Sequence, residues 1–386
     1  MYNTRMAEQK ITIKKPFDSH VHLRRGAMLR AVTPITAEKF SRAIVMPNTD
    51  PPIETVEQAA EYKKEILAAL PNHSSVLQNT SIRNSEFEPL MTLYLTKNLK
   101  PEEIERGFSL AGQAGENGTK VYAVKSYPYG ATTNSQWGYR NILEAKDVLA
   151  AMENVGMPLL LHGEVHLNDH DEEEDPYEGE RMFVEDVLPR LLEKYPKLKV
   201  SLEHMSTASA VDFIEKNGKE GRIVATVTPK HLMYDRRQAF SGGYRTLLHM
   251  KPLIKTAKDR ERVRDIVKKG LPFISAGTDS APHPESRKFS SCCVYGAFCS
   301  LTAVEMYTEV FDEIECLDKL EGFISLNGPR FFELEPSKET ITLVKKDWQV
   351  TEPVVTEEGV KVWPIGHVQH GLGNETIHWQ VYPAPF

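Results

Sequence analysis

Eight short apolar runs, separated by stretches with helical spacing, constrain this chain more than any other feature. They cover residues 17–22, 43–47, 91–95, 121–127, 158–164, 199–205, 223–229 and 272–279. Most are built from Val, Ile, Leu and Ala without polar alternation, the pattern of strands buried on both faces of a parallel sheet. Between them lie helix candidates at 55–70, 101–114, 147–154, 185–194, 206–216 and 260–269. The first stops before Pro71, and the second opens with Pro101-Glu102-Glu103, acidic residues where a helix dipole favours them. Strand–helix alternation implies an α/β fold, and eight units point to a (β/α)8 TIM-type barrel rather than an open sheet.

The expectation is one domain over residues 1–386, with a barrel core at about 17–335 and short N- and C-terminal extensions. From about 340 to 386 the alternation stops, and the tail is expected to pack over the barrel as irregular or short β structure. Residues 73–88 read as a surface insertion. The acidic stretch 168–180 reads as a solvated loop, with a second cation site as the sharper alternative.

Composition serves mainly to exclude. Lys and Arg number 47 against 54 Asp and Glu, a net charge of −7. That balance argues against nucleic acid or an anionic membrane as the main partner. A small anionic substrate, which feels only the local site, is compatible with it. No run approaches the roughly 18 apolar residues of a membrane helix, and the polar N-terminus has no secretory core. Cys292, Cys293, Cys299 and Cys316 form no C-x-x-C pair, so they read as reduced thiols rather than a zinc site. A cytoplasmic enzyme is the resulting expectation.

In a barrel of this type the active site sits where the strands end, so the polar residues there matter. The first run carries His20 and His22, the fourth Lys125, the fifth His162, the sixth His204, and the eighth ends at Asp279. Random placement would scatter such residues. His20 and His22 are two apart on a strand and so share a face, where both imidazoles can reach one ion. Taken singly, each histidine can equally be a hydrogen-bonded core residue. Asp279 needs a partner, because an unpaired buried carboxylate is costly; a metal, an arginine or a helix N-terminus would serve. Lys125 lies inside a run that is expected to be buried, so its ammonium is desolvated and its pKa pushed down. It either pairs with a carboxylate or, as the neutral amine, adds carbon dioxide to form a carbamate.

Six segments together resemble dihydroorotase, in its shorter single-function class within the amidohydrolase superfamily. They are HVHLR at 20–24, MPNTDPP at 46–52, KSYPYGATTNS at 125–135, LLHGE at 160–164, LEHMST at 202–207 and GTDSAPH at 277–283. FISLNGPRFFEL near the C-terminus extends the likeness. The resemblance implies reversible cyclisation of N-carbamoyl-L-aspartate to (S)-dihydroorotate plus water, in de novo pyrimidine biosynthesis. It also implies two Zn2+ per subunit. His20, His22 and Asp279 would hold one, His162 and His204 the other, and N6-carboxylated Lys125 would bridge them along with a hydroxide. Asp279 would be the general acid and base. Arg24, Asn48 and His283 would grip the substrate carboxylate, and Thr132 and Thr133 would belong to a loop closing over it. Lys251 and the segment ending at Tyr295 would contribute mainly backbone groups beside the ring. A homodimer is a further implication. The alternatives are another cyclic-amide hydrolase, of hydantoinase or allantoinase type, and an inactive scaffold barrel.

Overall fold

The structure is a computed structural model describing residues 9–70, 87–110, 119–366 and 376–382. The surface insertion expected at 73–88 falls outside these residues except for its last two.

Strand β1 (Lys10–Lys14) precedes the barrel strands β2 (Phe17–Val21), β3 (Arg42–Val45), β4 (Glu88–Tyr94) and β5 (Val121–Ser126). The barrel continues with β6 (Leu159–Leu161), β7 (Val200–Leu202), β8 (Ile223–Val227) and β9 (Ile274–Ala276). β2 to β9 are hydrogen-bonded in sequence order, and each neighbouring pair is parallel. The ends meet through a parallel bridge between Val21 and Ser280. Asp279 N donates to His20 O at 2.8 Å, and His22 N to Ser280 O at 3.0 Å. All eight expected strands are present.

The covering helices include α1 (Gly26–Lys39), α2 (Val56–Ala68), α3 (Pro101–Ser109) and α4 (Lys146–Val155). α2 is set by its own sequence. Gln58 N donates to Thr55 Oγ1 at 3.2 Å and Thr55 N to Gln58 Oε1 at 3.0 Å, a reciprocal cap. Val56, Ala59, Tyr62 and Ile66 then bury one helical stripe. α3 ends at Ser109, short of the expected 114, whose last positions fall outside the described residues. The helix expected at 185–194 is composite. α5 (Gly179–Met182) runs through a π-helical turn, Phe183–Val187, into α6 (Leu188–Lys194). Pro189 lacks the N–H for a regular bond to the preceding turn, a local cause for that irregularity. Further on lie α7 (Ala208–Asn217), α8 (Pro229–Met233), α9 (Arg236–Phe240), α10 (Ala257–Lys268), α11 (Glu285–Lys288) and α12 (Ala303–Glu313).

The barrel interior is filled from below. Phe17, Ile44, Leu90, Ala123, Leu160 and Val224 form one buried cluster with Phe331 and Phe332. The alternate strand residues, such as Val45, Leu93, Val124 and Leu161, join the larger core that includes the helices. Two positions beyond Ala123 is Lys125, and two beyond Leu160 is His162. Strand alternation therefore lifts the site residues directly above a packed floor.

The tail contains β structure, with one strand longer than expected. β10 (Thr340–Trp348) is a nine-residue strand and is central in a three-stranded antiparallel sheet with β1 and β13 (Ile377–Tyr382). β11 (Val354–Val355) and β12 (Lys361–Val362) form a separate small pair. The three-stranded sheet packs against α12: Trp379 is buried and its Nε1 donates to Asp312 Oδ2 at 3.0 Å.

Candidate metal and substrate site

Three candidate residues stand at strand ends in the left-handed backbone region. Arg24 has φ 62°, His204 φ 45° and Asp279 φ 45°. For non-glycine residues this conformation is uncommon and costs of order 1–3 kcal/mol. At β7 its purpose is visible. Val200 and Leu202 face the outer core, so Ser201 and Glu203 face inward, and strict alternation would turn His204 outward. The break at His204 lets two consecutive side chains reach the interior, and Thr226 Oγ1 accepts from its N–H at 2.8 Å.

Four imidazoles form a chain. Ring centroids are 5.3 Å apart for His22 and His20, 5.2 Å for His20 and His204, and 4.6 Å for His204 and His162. His20 Nε2 lies 3.4 Å from His22 Nε2. Asp279 Oδ1 is 3.5 Å from the first nitrogen and 3.3 Å from the second. His20, His22 and Asp279 thus place three buried donor atoms within 4.8 Å of one another, a group that could hold a metal ion.

Carboxylates behind the histidines fix which nitrogen is free. Glu203 Oε2 accepts from His20 Nδ1 at 2.7 Å, and Glu164 Oε2 accepts from His162 Nε2 at 2.6 Å. Each bond leaves the other ring nitrogen with its lone pair, the arrangement that supports a metal-binding imidazole. Burial keeps all four rings neutral: His20 and His204 are driven well below the ordinary histidine value, His22 to about 4, and His162 down as well. Burial alone would raise Asp279, but the Lys230 ammonium and the His22 hydrogen bond outweigh it and hold the carboxyl well below its usual range.

Lys125 is fully buried, and its Nζ has no hydrogen-bond partner. The same is true of His204 Nδ1 and His22 Nδ1. Desolvation pulls the Lys125 amine down to about 8, against the pull of Glu203 and Asp279. Orphaned buried nitrogens are expensive. Such unpartnered nitrogens beside the His20, His22 and Asp279 group suit a site that takes up a cation.

Beside this cluster lies a small cavity. Its lining includes His22 and Asp279 together with Arg24, Asn48, Thr132, Thr133, Lys251 and Tyr295. The structure therefore brings together nearly every candidate substrate contact. His283 is the exception, absent from the lining. Its Nε2 accepts from Arg24 Nη2 at 3.0 Å, and Arg24 Nε donates to Pro282 O at 3.1 Å. Burial and the adjoining Arg24 charge keep His283 neutral. Gly296 is required beside it. Its φ is +131°, and a Cβ there would stand 2.7 Å from His283 Nε2.

The threonine loop is latched across the cavity. Asn48 Nδ2 donates to Thr133 O at 2.9 Å, Asn134 Nδ2 to Asn48 O at 2.9 Å, and Thr133 Oγ1 to Tyr295 O at 3.0 Å. Lys251 presents its side chain as well as its backbone. Its Nζ is 3.7 Å from Glu164 Oε1 and 5.7 Å from the Tyr295 ring centroid. Within the acidic stretch, Glu180 is buried, not solvated, and accepts from Ser206 N at 2.9 Å near the start of α7.

Glu164, Glu203 and Lys230 were not among the residues expected at the site. The two glutamates adjoin or nearly adjoin the site histidines in LLHGE and LEHMST, and a carboxylate near a ligand histidine was the available signal. Lys230 had no such marker.

Comparison with known proteins bears on the family and the fold. Residues 16–347 match the model of the amidohydrolase family. A dihydroorotase of Picosynechococcus sp. is 43% identical over 357 residues, covering 92% of this chain and 96% of that protein. The crystal structure of Saccharomyces cerevisiae dihydroorotase in complex with 5-fluoroorotic acid superposes with a TM-score of 0.82 at 30% identity, covering 98% of this chain and 100% of that one. An L-hydantoinase from Arthrobacter aurescens shares the fold, with a TM-score of 0.73 at 15% identity over 96% of this chain and 82% of that one. The chain belongs to the amidohydrolase family and, within it, to the dihydroorotases.

Proposed function

We propose that this chain interconverts N-carbamoyl-L-aspartate and (S)-dihydroorotate, with release of water on ring closure, as a step of de novo pyrimidine synthesis. One observation carries the choice of substrate. The Arg24 guanidinium lines the same cavity as His22 and Asp279, yet among the described residues no carboxylate pairs with it. A partly buried, unpaired cation beside the reacting centre calls for a substrate with its own carboxylate. A hydantoin without one would leave Arg24 unsatisfied.

The cofactor reading is two Zn2+ per subunit. His20, His22 and Asp279 would hold one, His162 and His204 the other, with Lys125 carboxylated between them. Bound ions supply Lewis-acid polarisation of the scissile carbonyl and lower the pKa of water from ~15.7 toward ~7.

The chain's own residues do the rest. Arg24 holds the substrate carboxylate through parallel hydrogen bonds, and His283, accepting from Arg24, fixes the guanidinium plane. Asp279 begins as the carboxylate, the base form required for ring opening. It takes a proton from the attacking water as the oxygen adds to the ring acyl carbon. When the carbon–nitrogen bond breaks, its electron pair stays on nitrogen, and Asp279 returns the proton there. The latch of Asn48, Thr133 and Tyr295 covers the cavity and excludes bulk water. Lys251 and Tyr295 flank the ring.

This reading takes residues 1–386 as one catalytic domain that works as a cytoplasmic homodimer on a small molecule, without nucleic acid or membrane. Among the described residues no helix is long and apolar enough to cross a membrane. The test is a turnover assay on protein supplied with zinc and bicarbonate, following dihydroorotate ring opening by ultraviolet absorbance. Turnover of dihydroorotate but not hydantoin, lost in Asp279→Ala, is the expected result. Failure of the fully metallated protein to open dihydroorotate rejects the substrate.

A further inference from the structure

Lys230 is a completely buried ammonium just beyond β8. Thr228 caps the short helix α8, accepting from His231 N at 3.1 Å, and Pro229 occupies its first turn. Lys230 reaches across to the end of β9. There its Nζ donates to Asp279 O at 2.6 Å and to Asp279 Oδ2 at 3.1 Å. Both contacts fall on one residue. The other carboxylate oxygen, Oδ1, is the one that stands 3.5 Å from His20 Nε2 and 3.3 Å from His22 Nε2.

The division of labour between the two oxygens is informative. A carboxylate torsion is broad and roughly two-fold, so a single contact leaves its plane free to pivot. Attachment at the carbonyl and at Oδ2 of the same residue spans the torsions between them and removes that freedom. The backbone needs the same support, because Asp279 sits at φ 45°, where non-glycine residues are rarely found. The bond to the carbonyl satisfies a second N–H of the buried ammonium and also gives it a second hold on the same residue. The carbonyl contact is the shorter of the two, so the hold on the backbone is at least as close as the hold on the side chain.

We infer that Lys230 is a positioning residue that clamps Asp279 through its carbonyl and Oδ2, leaving Oδ1 to face the histidine pair and move the proton. The inference rests on the role given to Asp279 above.

Lys230→Met and Lys230→Gln separate the clamp from mere packing. With zinc-loaded protein and dihydroorotate, Lys230→Met should lower kcat by about a hundredfold, the scale of a 1 Å misplacement, with KM within a few-fold of the parent. Lys230→Gln keeps a donor but not the charge and should be intermediate, at about a tenth of the parental kcat and one order of magnitude above Met. A parental kcat in Lys230→Met, or a Gln variant no better than Met, overturns the clamp. If Lys230→Met fails to fold, Lys230→Gln decides alone: an intermediate kcat supports the clamp, and a parental kcat overturns it. Loss of zinc to a chelator reads the same geometry without substrate, so it survives a failed substrate assignment. Faster loss from Lys230→Met than from the parent supports the clamp, and equal rates overturn it.

Discussion

Glu164 Oε2 accepts from His162 Nε2 at 2.6 Å, while its other oxygen stands 3.7 Å from Lys251 Nζ. One buried carboxylate thus joins a candidate metal ligand to a cation on the substrate cavity. Removing its charge weakens the imidazole as a ligand. Glu164→Gln should lower zinc affinity ~10–100-fold and leave the barrel folded. Competitive titration against a chromogenic chelator measures this, and parental affinity would show that the carboxylate does not tune His162.

Arg24 makes its two recorded hydrogen bonds to Pro282 O and His283 Nε2. Arg24→Met keeps much of the stem and deletes the fork. Losing one partner of a buried charge pair costs roughly 2–5 kcal/mol, so KM for dihydroorotate should rise by about two orders of magnitude. Zinc content, read by elemental analysis, should not change. An unaltered KM would remove Arg24 from the carboxylate contact.

Lys125 has its amine lowered to about 8 by burial. Carbon dioxide adds only to the neutral amine. Below pH 8 that form therefore falls about tenfold per pH unit, and above it the form saturates. At fixed dissolved carbon dioxide, activity of stripped protein given zinc should return faster as pH rises from 6 to 8 and then level off. Recovery independent of pH would count against the carbamate. Lys125→Ala should bind less than two zinc per subunit and be inactive.

His231 is held by Thr228 Oγ1 at 2.9 Å and by Pro252 O at 3.1 Å, and burial lowers it to about 4 from an ordinary 6.5. The unfolded chain binds this proton more readily than the folded one. Its contribution is therefore complete above pH 6.5 and is lost as pH falls toward 4, amounting to about 3 kcal/mol. Denaturant unfolding of metal-free protein should show the decline between pH 7 and 5, and His231→Gln should flatten part of it. Stability that stays level over that interval would contradict a neutral His231.

The barrel and its site were legible to different depths. All eight strands showed as apolar runs because parallel strands buried on both faces need no polar alternation. The ligand candidates showed because each polar residue lay within or at the end of such a run. α1 escaped notice because Pro34, with Val32, Thr33, Ile35 and Thr36 around it, reads against helix; tertiary packing overrides that preference. The pairing of Lys10 with Val344 joins opposite ends of the chain, and no local pattern announces it. The same limit applies inside the site. Lys230 and Asp279 are 49 residues apart, and the place of His283 behind Arg24 depends on how two loops meet.

Arg24, His204 and Asp279 are three of the seven described non-glycine residues with positive φ. Their cost is carried by the hydrophobic core beneath. Folding itself, through that core, therefore sets the backbone from which these three side chains reach the site, so a substitution that loosens the barrel floor would be felt at its mouth.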